Sequence, residues 1–231
     1  MNAAPAIRLE GVGVRLGDVD ALRGVDLALD ARTVAVIGEN GSGKSTFARL
    51  LAGLVPPTAG TTRVLGLDPV RQAGELRRRV AVVFSNPDAQ IVMPTVVEDV
   101  AFSLRPDRLP REESRRRADE ALDRFGLSAL RDRPSHDLSG GQKQLLALAG
   151  AFVRRPELVV ADEPTTYLDA RNARRVSEHL LADSGHRLVV VTHDLALAER
   201  CETAVLFAGG RVEAVGNPTD VIAEYQAALA C

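Results

Sequence analysis

The chain has 231 residues, a formal net charge of -2 and 26% charged side chains, so nothing in its overall balance points to a nucleic acid partner. Aromatics make up only 3%, with no Trp, which argues against a protein that stacks bases or sugars and leaves the core to Val, Leu, Ala and Ile. The length suits one large domain or two small ones.

In chain order, Ile7 to Val14 has alternating apolar positions and reads as a strand, closed by a turn signal at Gly17-Asp18. Val25, Leu27 and Leu29 alternate with Asp26, Ala28 and Asp30, the pattern of a half-buried antiparallel strand. The apolar, β-branched run Thr33 to Ile37 reads as a buried strand, and Thr46 to Ala52 as a helix. Pro56 to Gly60 is a loop and Thr61 to Leu65 a short strand, followed by a buried strand at Val80 to Phe84. After a break at Asn86-Pro87-Asp88, Thr95 to Leu104 is expected to be helical, with Thr95 and Glu98 forming a capping box. Pro110 to Phe125 has helical spacing, and its Arg115-Arg116-Arg117 run reads as a solvated face. A long helix runs from Ser139 through Val153. Then come a buried strand at Leu158 to Asp162, a helix at Arg171 to Leu181, a strand at Arg187 to Val191 and a short helix at Leu195 to Arg200. A hairpin around Gly209-Gly210 and a closing helix from Pro218 to Leu229 end the chain. This order predicts an α/β fold with N-terminal antiparallel β elements, a mainly parallel core sheet and an inserted α-helical subdomain.

Cys201 and Cys231 have no metal-type spacing and read as free thiols of a reducing compartment. No apolar stretch is long enough to span a bilayer, and Met1-Asn2-Ala3-Ala4-Pro5 lacks the pattern of a signal peptide. The expectation is a cytosolic chain whose membrane contact runs through a partner.

Gly38-Glu39-Asn40-Gly41-Ser42-Gly43-Lys44-Ser45 fits the phosphate-loop pattern Gly-x-x-x-x-Gly-Lys-Ser, and its strand–loop–helix setting separates it from an ordinary glycine-rich turn. Glycines let successive N–H groups face polyphosphate oxygens, and the following helix aims its positive end at them. Lys44 is expected to reach the β- and γ-phosphates and Ser45 to ligate Mg²⁺. Asp162-Glu163 before Pro164 reads either as an acidic pair opening a loop or as functional. In the second reading Asp162 holds Mg²⁺ through water, and Glu163 orients or deprotonates an attacking water. Leu138-Ser139-Gly140-Gly141-Gln142 is a capped helix start that also suits phosphate. One chain rarely needs two such devices for one nucleotide, which suggests two chains closing on each other. His193 follows a strand at the end where α/β sheets bind ligands; a lone His in that position is either structural or a donor to a γ-phosphate.

Together these residues resemble an ATP-binding cassette (ABC) ATPase of the transporter type, a phosphate-loop NTPase, over nearly the whole chain and in the family's order. Gly38 to Ser45 resembles Walker A and Leu138 to Gln142 the signature motif. Leu158 to Glu163 is similar to Walker B with the catalytic glutamate, Tyr167-Leu168-Asp169 to the D-loop, and Thr192-His193-Asp194 to the switch-histidine loop. The resemblance implies a single ABC ATPase domain over 1–231, with a core of about 1–90 and 155–231 and a helical subdomain of about 91–154. It implies catalytic roles for Glu163, His193 and Lys44. Nucleotide contacts would come from Gly38, Glu39, Asn40, Gly41, Ser42, Gly43, Lys44, Ser45 and Thr46, with Ser139, Gly140, Gly141, Gln142 and Asp169 serving the site held by a second chain. Mg²⁺ would be held by Ser45 and Asp162. Two departures stand out. Leu16 occupies the place of an aromatic that stacks on adenine, and Ser85 stands where the Q-loop glutamine is expected. This leaves Leu16 to pack on the base, and Ser85, or Gln90 further on, to meet Mg²⁺ or a water.

Asn86 to Gln90 with Val97 to Phe102 resembles the ATPases of energy-coupling-factor importers of vitamins and transition-metal ions. That implies ATP and Mg²⁺, a second ABC ATPase chain (identical or paralogous), an integral membrane coupling protein and a substrate-binding membrane protein, all at the cytoplasmic face of the cell membrane. Biotin is favoured as cargo over cobalt and nickel. The rival readings are a soluble ABC ATPase of DNA repair or translation, which brings long coiled coils or a second cassette, and a phosphate-loop kinase, in which the signature and His193 have no role.

Overall fold

In the computed structural model, which describes residues 5–182 and 185–229, two sheets share the work of burying the chain. The readings made on Met1 to Ala4 and on Cys231 lie outside the described residues.

Strand β1 (Ile7–Leu16) pairs antiparallel with β2 (Val19–Leu29) on one side and β4 (Ala59–Val64) on the other. Ile7, Leu9, Val12 and Val14 are all buried, although Leu9 and Val12 are an odd number of residues apart. The register shifts between them, at Gly11 with φ 58°, and a similar step occurs near Gly24 with φ 57°. With a third shift between Val14 and Arg15, one extra residue in β1 and two in β2 keep the apolar set on one face.

The second sheet has six strands in the order β5-β6-β7-β3-β8-β9. These are β3 (Thr33–Gly38), β5 (Val80–Val83), β6 (Leu158–Asp162), β7 (Arg187–Val191), β8 (Thr203–Ala208) and β9 (Arg211–Gly216). All pairings are parallel except the β8–β9 hairpin. Its central strands are apolar on both faces, as parallel strands covered on both sides must be. Val34, Val36, Val160 and Val191 pack toward α1 (Lys44–Leu51) and the antiparallel sheet, and Ala35, Ile37, Val159 and Val190 toward the other helices.

Between β5 and β6 lie α3 (Val96–Ser103), α4 (Arg111–Arg124) and α5 (Gly140–Phe152), which join the second apolar cluster through Val100, Leu122, Phe125 and Leu146. The sheet is completed by α6 (Ala170–Leu181), α7 (Leu195–Glu199) and α8 (Pro218–Leu229). Arg115 and Arg116 are exposed as expected, Arg117 half-buried, and the last two pair with Glu113 on the same helix.

Two local expectations need correction. Helix α2 (Ala73–Arg79) is absent from the sequence reading, because it buries only Leu76 and so shows no periodicity. The capping box at Thr95 does not form: the Thr95 hydroxyl donates to the Glu98 carboxylate at 2.7 Å instead of accepting from the backbone. The first N–H groups of α3 are taken by the carbonyls of Arg133 and Arg131, brought in by tertiary packing.

Phe125 is fully buried, with ring centroids 5.7 Å from Phe152 and 4.5 Å from His179, and so ties three helices together. Phe125→Ala is expected to lower stability by about 3–5 kcal/mol in urea denaturation; a loss below about 1 kcal/mol would contradict this packing role.

Candidate nucleotide site

The carboxyl ends of β3, β6 and β7 lie side by side, and each delivers part of the site. Ala35 pairs with Val190 across β3 and β7, and Asp162 with Val191 across β6 and β7. Gly38, Glu163 and His193 therefore emerge at one edge of the sheet, where open α/β sheets bind ligands.

The loop after β3 needs its glycines for space and for backbone angle. A Cβ on Gly38 would lie 2.1 Å from the Phe207 carbonyl oxygen, and one on Gly43 would lie 2.7 Å from that of Ala21. Gly41 meets no neighbour, but its φ of 80° is left-handed. Gly43 is the N-cap of α1 and brings no side-chain cap, so the helix itself leaves the N–H groups of Lys44, Ser45 and Thr46 without acceptors. The buried Ser42 hydroxyl has no hydrogen-bond partner among the described residues. Lys44 is buried, and its ammonium donates to the carbonyls of Gly38 and Glu39, each at 2.7 Å. Burial pushes its pKa down, against the opposing fields of Glu163, Asp162 and Glu39. This constellation of N–H donors, cation and helix start fits a polyphosphate.

The Ser45 hydroxyl donates to Asp162 Oδ1 at 3.0 Å. Burial pushes the Asp162 carboxyl up, more than the Ser45 hydrogen bond and the Arg49 and Lys44 charges pull it down. A hydroxyl and a hard carboxylate together are the donor set that suits Mg²⁺.

Glu163 has φ 52°, a strained angle for a residue with a side chain. It is held by its N–H donating to the Val191 carbonyl at 2.9 Å. Its Oε2 lies 2.6 Å from His193 Nδ1 and accepts from the His193 N–H at 3.3 Å. An ionised carboxylate only accepts, so Nδ1 carries the proton in this pair, and Nε2 donates to a phosphate only when the ring is imidazolium.

A cleft of about 790 Å³ brings Gly38, Glu39 and Asn40 together with Ser85, Glu163 and His193. Thr166, Tyr167 and Tyr225 also line it. A second cleft of about 350 Å³ runs along Asn40, Gly41 and Gly43 to Thr46, and is closed by Val19, Asp20, Ala21 and Arg23. Leu16 sits at the exposed end of β1, in register with Val19, whose segment lines this second cleft. Gln90 is committed elsewhere: its Oε1 accepts from the Phe84 N–H at 3.3 Å and its Nε2 donates to the Ala147 carbonyl at 3.1 Å. Gln144 Nε2 donates to the Phe84 carbonyl at 3.2 Å, so two glutamines grip the residue before Ser85.

Ser139, Gly140, Gly141 and Gln142 line neither cleft. Ser139 and Gln142 do form the reciprocal capping box, with contacts of 3.4 and 2.9 Å, at the exposed start of α5. A Cβ on Gly141 would lie 2.5 Å from Asn172, whose N–H and side-chain amide both donate to Asp169 at 2.8 Å. The signature segment and Asp169 are thus packed against each other through Asn172. Sequence reasoning missed Asn172, Gln144, Thr166 and Tyr225, since none belongs to a motif and only the fold places them beside Gly141, Phe84 and the larger cleft.

A family model described as ABC transporter matches residues 22–166. The chain belongs to the ABC transporter family. It is 46% identical over 220 residues to a putative ABC transporter ATP-binding protein of Deinococcus radiodurans, covering 95% of this chain and 97% of the relative. It is 39% identical over 220 residues to the biotin transport ATP-binding protein BioM of Rhizobium etli, with the same coverage. To the energy-coupling factor transporter ATP-binding protein EcfA1 of Bacillus subtilis it is 38% identical, covering 96% of this chain and 82% of the relative. Among solved structures it resembles cbiO1 of Clostridium perfringens, described as part of the ABC transporter complex cbiONQ, with a TM-score of 0.86 and 32% identity over 97% of this chain and 93% of that one. It also resembles a dimeric ATP-binding cassette in a post-hydrolysis state with ADP and Pi, with a TM-score of 0.82 and 28% identity over 92% of this chain and 98% of that one. This ABC ATPase hydrolyses ATP for transport and is of the energy-coupling-factor importer type. Among the described residues no helix is long and apolar enough to cross a membrane.

The folded pKa of Asp162 lies above its unfolded value, so the native state binds more protons between the two and stability falls as pH rises through that window. An Asn there escapes this cost. Asp162→Asn is expected to melt at or above the wild-type temperature at neutral pH, with the gap closing as pH drops to about 4. Calorimetry across pH measures this, and a variant melting lower at neutral pH would show the charge to be net stabilising.

Proposed function

We propose that this chain is one of two ATPase subunits that sandwich two ATP molecules head to tail and drive an importer at the cytoplasmic face of the membrane. The observation that carries the proposal is the Glu163–His193 pair at the edge of the sheet that also holds the phosphate loop. Lys44, the glycine N–H groups and the start of α1 bind the phosphates. Mg²⁺, held by the Ser45 hydroxyl and Asp162, would supply charge neutralisation between the β- and γ-phosphates. Glu163 takes a proton from the attacking water, and His193 steadies the γ-phosphate end. Ser85 lines the same cleft and stands nearest the Q-loop role, because Gln90 is bound to the α5 backbone.

The exposed start of α5, with Ser139, Gly140, Gly141 and Gln142, completes the site of the second chain, and Asp169 beside it joins that contact. Leu16 and Val19 offer the base an aliphatic surface. The partners are a second cassette, identical or paralogous, an integral membrane coupling protein and a substrate-binding membrane protein. Biotin stands first among cargoes, ahead of cobalt and nickel; the support is the likeness to the Rhizobium etli biotin protein.

Glu163→Gln is expected to slow ATP hydrolysis by about 10²–10⁴-fold while keeping nucleotide binding. The slowed enzyme should accumulate as a dimer with excess MgATP, read by light scattering on the complex purified from membranes or on the chain alone. A variant that hydrolyses ATP at the wild-type rate would sink the role of Glu163. Purification from solubilised membranes without any integral membrane protein would sink the importer.

A further inference from the structure

We propose that Thr166 is a positioning residue for ATP hydrolysis: with His193 it pins Oε2 of Glu163 and leaves Oε1 as the atom that takes the proton. This rests on the reading of Glu163 as the base.

All the hydrogen bonds that described residues make to the Glu163 carboxylate fall on one oxygen. Oε2 meets His193 Nδ1 at 2.6 Å, the His193 N–H at 3.3 Å and the Thr166 hydroxyl at 3.3 Å. Oε1 accepts from no described residue. His193 reaches Oε2 from the end of β7, and Thr166 reaches it from the turn that follows Glu163 itself. Donors on two elements hold the carboxylate plane, where His193 alone would leave it free to swing about the Nδ1 contact. A terminal carboxylate torsion is otherwise broad and twofold, so its two oxygens would exchange places.

The turn is built to hold Thr166 there. Its two ends, Glu163 with φ 52° and Tyr167 with φ 66°, are both left-handed, and the Thr166 N–H donates to the Glu163 carbonyl at 3.3 Å. Non-glycine residues adopt such angles only where their surroundings enforce them. Thr166 itself is half-buried and lines the same cleft as Gly38, Ser85 and His193.

The chemical step then has defined atoms. A water in the cleft attacks the γ-phosphorus as its proton passes to Oε1. The bond from the γ-phosphorus to the bridging oxygen breaks, and ADP leaves with the electron pair. The protonated Glu163 later returns its proton to solvent. A water misplaced by even a fraction of a hydrogen-bond length reacts more slowly, while ATP binding, which uses the loop, is unaffected.

The test compares Thr166→Val, which keeps the shape and removes the hydroxyl, with Thr166→Ser, which keeps the hydroxyl, in the full chain purified with its membrane partners. Thr166→Val is expected to lower kcat about tenfold with the KM for MgATP and the melting temperature unchanged, and Thr166→Ser to restore most of the rate. Wild-type kcat in Thr166→Val, or an equal loss in Thr166→Ser, overturns the assignment. Glu163→Gln serves as the control. If it is inactive while Thr166→Val is normal, only the positioning role fails; if Glu163→Gln is active, the base itself is misassigned.

Discussion

Hydrogen bonding between three parallel strands is the constraint on which the rest depends. β6, β7 and β3 run in the same direction and in register, so their carboxyl ends form one edge. The phosphate loop, the Asp162-Glu163 pair and His193 stand well apart in the chain and would not otherwise meet. A register slip of one residue in β6 would move Asp162 away from Ser45 and turn its side chain to the opposite face. These strands are closely packed on both faces, so a slip would also put side chains of the wrong size into two filled cores.

That rigid edge carries features that oppose stability. A desolvated lysine, a desolvated carboxylate and left-handed residues at Glu163 and Tyr167 all cost free energy. The surrounding core offsets this: the large apolar clusters on both faces of the sheet, and Phe47 packed on Phe207 at 5.1 Å directly beneath the loop. Function is concentrated where local rules are broken, and ordinary packing around it keeps the chain folded.

The helical insertion is not an independent lobe in its contacts. Gln90 and Gln144 fasten Phe84, at the end of β5, to the backbone and side chains of α5. The same helix begins at the Ser139 cap and meets α6 at Gly141 and Asn172. One helix therefore links the residue before Ser85, which lines the larger cleft, to the exposed Ser139–Gly140 turn.

Much was legible in the sequence because it depends on local chemistry. The glycine-rich loop, the buried parallel strands, the β8–β9 hairpin and the Ser139 cap follow from glycine freedom, short apolar β-branched runs and side-chain capping over a few residues. The failures have equally local causes. α2 buries a single leucine, so it carries no periodic signal, and the Thr95 cap lost its backbone donors to the carbonyls of Arg131 and Arg133. The sequence by itself determined where the glycine-rich loop, the acidic pair and the strands lie. Only the tertiary structure decided that Gln90 faces α5 while Ser85 faces the cleft, that Val19 lines the second cleft beside Leu16, and that Thr166 and His193 share one oxygen of Glu163. Those outcomes depend on strand register and on contacts between distant segments, and neither leaves a periodic or motif-like trace in the chain.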